Sequence, residues 1–240
     1  MELDAFSVMN GIFSLIFVSI SITVGVIIIS KYFEYKKRIL LLVGLTWIGI
    51  SSPWWPSTVS IIKILLINEG LTLQLFLFLG NFFLPVAPIV WMYAFTELHY
   101  KEKQKMTVIV YGIISALYEI VFFYLLFSNP TMIGEPTGAI DVGNGLFVIT
   151  YHIFLLITLL ITGVIFSYQS IRSTDKEIKL KGKLLLLAFI CFVVGAILDV
   201  FSVGSIPILI ISRMILILAA IEFYWGFLLP RWLKSLLIQE

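Results

Sequence analysis

Two histidines, one cysteine and 12% charged residues in a chain of 240 leave little material for catalysis or metal binding. Cys191 stands inside LLLLAFICFVVGAI, without a second cysteine for a disulfide and without His or Cys neighbours at metal-ligand spacing. It reads as a packing or lipid-facing residue. His99 and His152 form no HExxH motif, Asp199 is the lone aspartate of an apolar stretch, and no nucleophile has a base beside it. There is no Gly-rich phosphate loop, and residues 206–229 contain no lysine for a retinal Schiff base. The sequence therefore predicts no enzyme, no cofactor and no metal. Its basic residues occupy ordinary topology positions, so nucleic acid is not an expected partner.

What the chain has in excess is hydrophobicity, at 60% of residues with a mean hydropathy of +1.09. Soluble domains carry roughly one-quarter charged residues, which excludes a water-soluble fold. At about 20 apolar residues per crossing, the pattern predicts one all-α domain spanning residues 1–240, a multi-pass protein of the cell membrane whose main partner is the lipid bilayer. Seven apolar segments fall at roughly 11–30, 39–62, 72–95, 106–127, 146–168, 184–203 and 206–229. The acidic start, MELDAFSVMN, lacks a basic n-region, so the first segment is expected to stay as a helix. In the second, Pro53 and Pro56 bracket Trp54 and Trp55, which leaves two readings: one bent helix, or a helix followed by an interfacial segment.

Every Lys and Arg except Lys63 and Arg213 lies in KYFEYKKR (31–38), ELHYKEKQKM (97–106), QSIRSTDKEIKLKGK (169–183) or the final PRWLKSLLIQE. Basic residues favour the cytoplasmic side, so the expected topology has the N-terminus outside and the C-terminus in the cytoplasm. The segment SNPTMIGEPTGAIDVGN (128–144), rich in turn formers, is then the long outer loop. Trp54, Trp55, Tyr100, Tyr168, Trp225 and Trp232 read as headgroup anchors near helix ends, with the Trp54–Trp55 pair alternatively a lid.

Ionisable groups inside a bilayer are functional candidates by default. There are five: Glu119, His152, Asp199, Arg213 and Glu222. At 1.5 Å rise per residue, Asp199 lies about 6 Å, His152 and Arg213 about 10 Å, and Glu119 about 12 Å from the outer boundary. The first expectation is an Asp199–Arg213 ion pair across the tight VGSIP turn. The second is a polar slab in which Glu119 approaches His152, with Asn81 of the proline-kinked third helix beside it. Glu222 lies apart, in the inner half.

Trp47 in LTWIGISSPWW and the stretch LGNFFLPVAPIVWMYAFTELHY, with Pro85, Pro88, Trp91, Tyr93 and Phe95, add a further signal. With the expected topology they resemble the seven-helix N-terminal membrane sensor domain of prokaryotic histidine kinases. In that family a signalling domain follows helix seven, where PRWLKSLLIQE stands here. The resemblance thus implies a receptor-like sensor for a small or lipidic ligand, signalling through a separate cytoplasmic partner. Two other classes stay open: a transporter or channel subunit in which the buried charges handle protons or a small ionic substrate, and a structural membrane subunit.

Overall fold

The computed structural model describes residues 3–238. Its helices are α1 (Ala5–Tyr35), α2 (Arg38–Ile50), α3 (Trp55–Ile67), α4 (Leu73–Asn81), α5 (Val86–His99), α6 (Gln104–Ser128), α7 (Leu146–Ile171), α8 (Lys176–Val200), α9 (Ile206–Leu228) and the short α10 (Arg231–Leu237). Together they make seven helical spans long and apolar enough to cross a membrane, with α2–α3 and α4–α5 each acting as one interrupted span. Several helices outrun their apolar stretches. The lysine-rich KEIKLKGK belongs to α8 because Asp175 caps it, accepting from the backbone N–H groups of Glu177 at 2.7 Å and Ile178 at 3.1 Å.

Both interruptions occur at prolines. Pro53 and Pro56 convert Ser52–Trp54 into a 3-10 turn, so the second span is a single bent crossing. In the third, the chain breaks between Asn81 and Val86, around Pro85. The two breaks lie side by side: a Cβ on Gly80 would sit 3.1 Å from the Pro56 ring, and Ser52 Oγ reaches the Gly80 carbonyl at 3.5 Å. Irregular backbone within a span apolar enough to cross a membrane is tolerated where protein, rather than lipid, surrounds it.

The helices pack through small residues. The buried face of α1 carries Ser7, Asn10, Gly11, Ser14, Ser21 and Gly25, while Ile12, Leu15, Ile16, Ile22 and Val26 are exposed. This reversal of soluble amphipathicity lets backbones approach without stranding polar groups in lipid. A Cβ on Gly44 of α2 would stand only 2.6 Å from the Gly25 carbonyl. Likewise α7 and α8 meet tightly at their basic ends, where a Cβ on Gly182 would lie 2.8 Å from the Ile171 nitrogen and one on Gly163 would strike the Phe189 ring.

The segment expected as an outer loop is instead a hairpin, β1 (Gly134–Gly138) paired antiparallel with β2 (Asp141–Asn144). Ile140 at its tip packs with Ile61 and Ile64 of α3, and Ile133 at its base packs with Leu77, Phe122 and Val148. Two apolar anchors therefore pull the hairpin down across the helix ends. Sequence reading saw the turn formers but not these alternating anchors. We call this the hairpin end, and the opposite one the basic end.

Candidate functional site

Beneath the hairpin lies a cavity of about 570 Å³. The helix breaks form one wall, through Pro53, Trp54, Gly80, Asn81 and Pro88; α7 and α8 form the other, through Ile149–Leu159 and Phe192–Val200 positions. The hairpin contributes Asp141 to Asn144 as a roof. Glycine placement explains the shape. The contacts of Gly163 and Gly182 clamp α7 and α8 over their basic-end halves, whereas around the cavity the glycine of α8, Gly195, faces Leu216 of α9, and Phe192, Ile197, Ile153 and Leu156 stand between α7 and α8.

Asp199 and Arg213 are paired as the sequence predicts, with Arg213 Nε 3.2 Å from Asp199 Oδ1. The N–H is not aimed along that line, so the contact is electrostatic rather than a directional hydrogen bond. Asp199 gains its directed bonds elsewhere. Trp54 Nε1 donates to Oδ2 at 2.9 Å, and Ser212 Oγ donates to Oδ1 at 3.1 Å. Trp54 is thus no headgroup anchor: it is 7% exposed, donates to the carboxylate and lies 5.7 Å beneath the Arg213 guanidinium. Trp55 donates to Ser51 Oγ at 3.1 Å.

Arg213 is 4% exposed. Its Nη2 donates to Asn10 Oδ1 at 2.8 Å, while Nη1 has no hydrogen-bond partner among the described residues. Asn10 and Ser212 are not among the residues the sequence singles out, and Trp54 is singled out there only as an anchor or lid, not as a donor to Asp199. The signal for Asn10 was available in the small and polar stripe of α1, where the largest polar side chain marks the place a buried cation needs an acceptor.

Asp141 also lines the cavity, and Thr137 Oγ1 donates to its Oδ2 at 3.2 Å. Burial raises this carboxyl above its ordinary value of 3.8, against the lowering effects of Thr137 and Arg213. The folded state therefore holds the proton more firmly than the unfolded chain does. This contribution is fully present below pH 3.8 and is lost as pH rises through the raised value. Asp141→Asn is accordingly expected to raise the thermal-unfolding midpoint at neutral pH, with the gap between variant and parent widening from pH 4 to 7. A gap independent of pH would refute this.

Of the other candidates, His152 lines the cavity and its Nε2 has no partner among the described residues. Asn81 lines it too, but its amide is occupied. Its Nδ2 donates to the Leu77 carbonyl at 2.9 Å and its Oδ1 accepts from Tyr118 at 3.0 Å. Tyr118 in turn stacks on Tyr151 with ring centroids 3.9 Å apart, and Tyr151 shares a hydrogen bond with Ser115.

Glu119 is not in the cavity wall, and its electrostatic neighbours are Tyr118 and Tyr151. It sits on α6, the least buried span, where the helix meets α7 through these tyrosines rather than through His152. Glu222 is 4% exposed, lies beside Cys191 and is also outside the cavity wall. Trp47 and Phe223, stacked at 4.0 Å, and Phe189 are buried in the core around Glu222's level, next to Phe192 of the cavity wall. No group of three or more His, Cys, Asp or Glu positioned to hold a metal occurs among the described residues.

The arrangement supplies a buried, partly satisfied guanidinium, aromatic walls and enough volume for a ligand of drug-like or lipid-headgroup size. Nothing in it constitutes a nucleophile with a base. Comparison with known protein families, with characterised proteins and with solved structures yields no match.

Proposed function

We propose that the chain is a receptor-like sensor module of the cell membrane that binds a small or lipidic ligand in the cavity beneath the hairpin. In this reading the hairpin end faces outside and the basic end faces the cytoplasm, following the distribution of Lys and Arg. The observation that carries it is Arg213, a buried guanidinium in the cavity wall with Nη1 left without a protein partner. Buried donors are almost always satisfied, so an unpaired one on a residue that lines a cavity favours a ligand acceptor, met by a turn of the guanidinium toward the space.

The two interrupted spans give such a ligand a means of output. α3 and α4 meet at their breaks in the cavity wall, and their continuations α2 and α5 run to the basic end. A ligand that prefers one angle at the breaks shifts the population of basic-end arrangements that a cytoplasmic signalling partner reads. Transport fits less well. Glu222 is outside the cavity wall, and Trp47, Phe189 and Phe223 pack as buried core against the cavity residues Trp91 and Phe192, with no polar track among them. A passive structural subunit leaves the cavity and its open donor without a use.

A thermal-shift screen of purified protein against small metabolites and lipids tests this reading, with Ile197→Trp as the control. Ile197 lines the cavity at its exposed mouth and makes none of the polar contacts of Asp199 or Arg213, so tryptophan there obstructs the space and leaves those partners in place. A compound that raises the midpoint of the parent and leaves the variant unmoved is the expected result. Equal shifts in both proteins would place binding elsewhere.

A further inference from the structure

The cavity's open donors, its charge balance and the chemistry of its mouth together narrow the ligand class. Arg213 and His152 both line the cavity, and Arg213 Nη1 and His152 Nε2 are buried without partners among the described residues. Nη1 can only donate; His152 Nε2 donates in one tautomer and accepts in the other. Both atoms are covered by the protein, so a ligand meets them only when the side chains turn toward the space. The group that then firmly needs a partner is Nη1, which needs an acceptor.

Charge then separates the acceptors. Four ionisable side chains line the cavity: Asp141, His152, Asp199 and Arg213. Arg213 is already balanced by Asp199 at 3.2 Å, and Asp141 adds a second acid. An anion would bring acceptors but enter a space with no surplus positive charge, where like-charge repulsion is weakly screened. A cation could meet Asp141, but it brings only donors, leaves Arg213 Nη1 without an acceptor beside a like charge, and finds the Asp199 oxygens already engaged by Trp54, Ser212 and Arg213. An uncharged carbonyl meets the demand without disturbing the balance, and its hydrogen bond to a guanidinium is charge-assisted.

The mouth supplies the rest of the molecule. Among lining residues that are exposed, Ile153 on α7 and Ile197, Val200, Phe201 and Val203 on and after α8 are apolar, and Asn144 is the polar one. The hairpin roofs the other approach through Ile140 and Ile133. The opening thus lies between α7 and α8, where a membrane-spanning bundle meets hydrocarbon.

We propose that the ligand is an uncharged amphiphile with an ester-type or similar carbonyl head, bound against Arg213 and His152, with its acyl chain passing between α7 and α8 into the bilayer. This rests on the reading of the cavity as a ligand site and adds the chemical class. A purely hydrocarbon molecule is rejected because it leaves the buried donor unpaired.

The test uses the full chain in lipid nanodiscs with a diazirine-bearing monoacylglycerol as the photo-cross-linking probe, and mass spectrometry to locate the label. Competitors are monolauroylglycerol, laurate and dodecyltrimethylammonium, which share a chain length and differ in head charge. Label is expected within residues 149–159 and 192–203, displaced by the glycerol ester at concentrations about tenfold below either charged competitor. Ile197→Trp, checked for an unchanged unfolding midpoint, is expected to lower labelling by about tenfold. Displacement by laurate or the ammonium compound at equal or lower concentration would overturn the neutral class and leave the cavity standing as a ligand site. Absence of label from both segments, or equal labelling of Ile197→Trp, would overturn the neutral-amphiphile proposal and the lateral mouth together. The cavity reading itself falls if, in addition, no compound gives the parent-selective thermal shift described above.

Discussion

Asp199→Asn is expected to lower the unfolding free energy by about 3 kcal/mol, the lower end of the range for breaking a buried ion pair. The lower end applies because the Asp199 side chain retains 17% of its exposure. The loss has two sources. Arg213 keeps Asn10 as an acceptor but loses its counter-charge. The asparagine amide must also point its N–H₂ either at Trp54 Nε1 or at Arg213 Nε, so a donor meets a donor whichever way it turns. Denaturant titration of the purified protein measures the effect. An unchanged midpoint would mean that water carries the Arg213 charge.

The second large effect separates structure from function at the same place. Replacing Asp199 by Leu, Arg213 by Met and Trp54 by Phe together removes the carboxylate, the guanidinium and the indole donor as a set. Apolar groups of similar volume often match or exceed the stability of a buried ion pair, so the triple variant is expected to recover most of the roughly 3 kcal/mol lost by Asp199→Asn. If the network only ties α1, α8 and α9 together, nothing else should change. If it holds a ligand head, the triple variant should be stable and yet lose every ligand-dependent thermal shift. A stable triple variant that still responds to the parent's ligands would show that Arg213 has no part in recognition.

The seven spans were legible because length and hydropathy control insertion, and the Asp199–Arg213 pair was legible because two lone charges flank one short turn. The rest of the site was hidden for identifiable reasons. Trp54 resembles an anchor in sequence, being aromatic and near a helix end. Only the 3-10 turn at Ser52–Trp54 swings its indole inward to Asp199. Glu119 and His152 lie at similar depth, but depth along a helix says nothing of azimuth, and Glu119 falls beside the tyrosines of α6 and α7. Asn10 is 203 residues from Arg213, a contact that exists only because α1 packs against α9. The hairpin was concealed by its composition: glycine, proline and threonine read as a loop, while Ile133 and Ile140, which fasten it, look unremarkable in isolation.

The central claim is that one ligand occupies the cavity beneath the hairpin, reached between α7 and α8. Native mass spectrometry of the protein released gently from its own membranes tests this most directly, with parent and Ile197→Trp compared at equal yield. The account predicts a single adduct of defined mass at one copy per chain on the parent, absent or reduced about tenfold on the variant. An adduct carried equally by both proteins, or no adduct on the parent even after incubation with lipid extract, would contradict it.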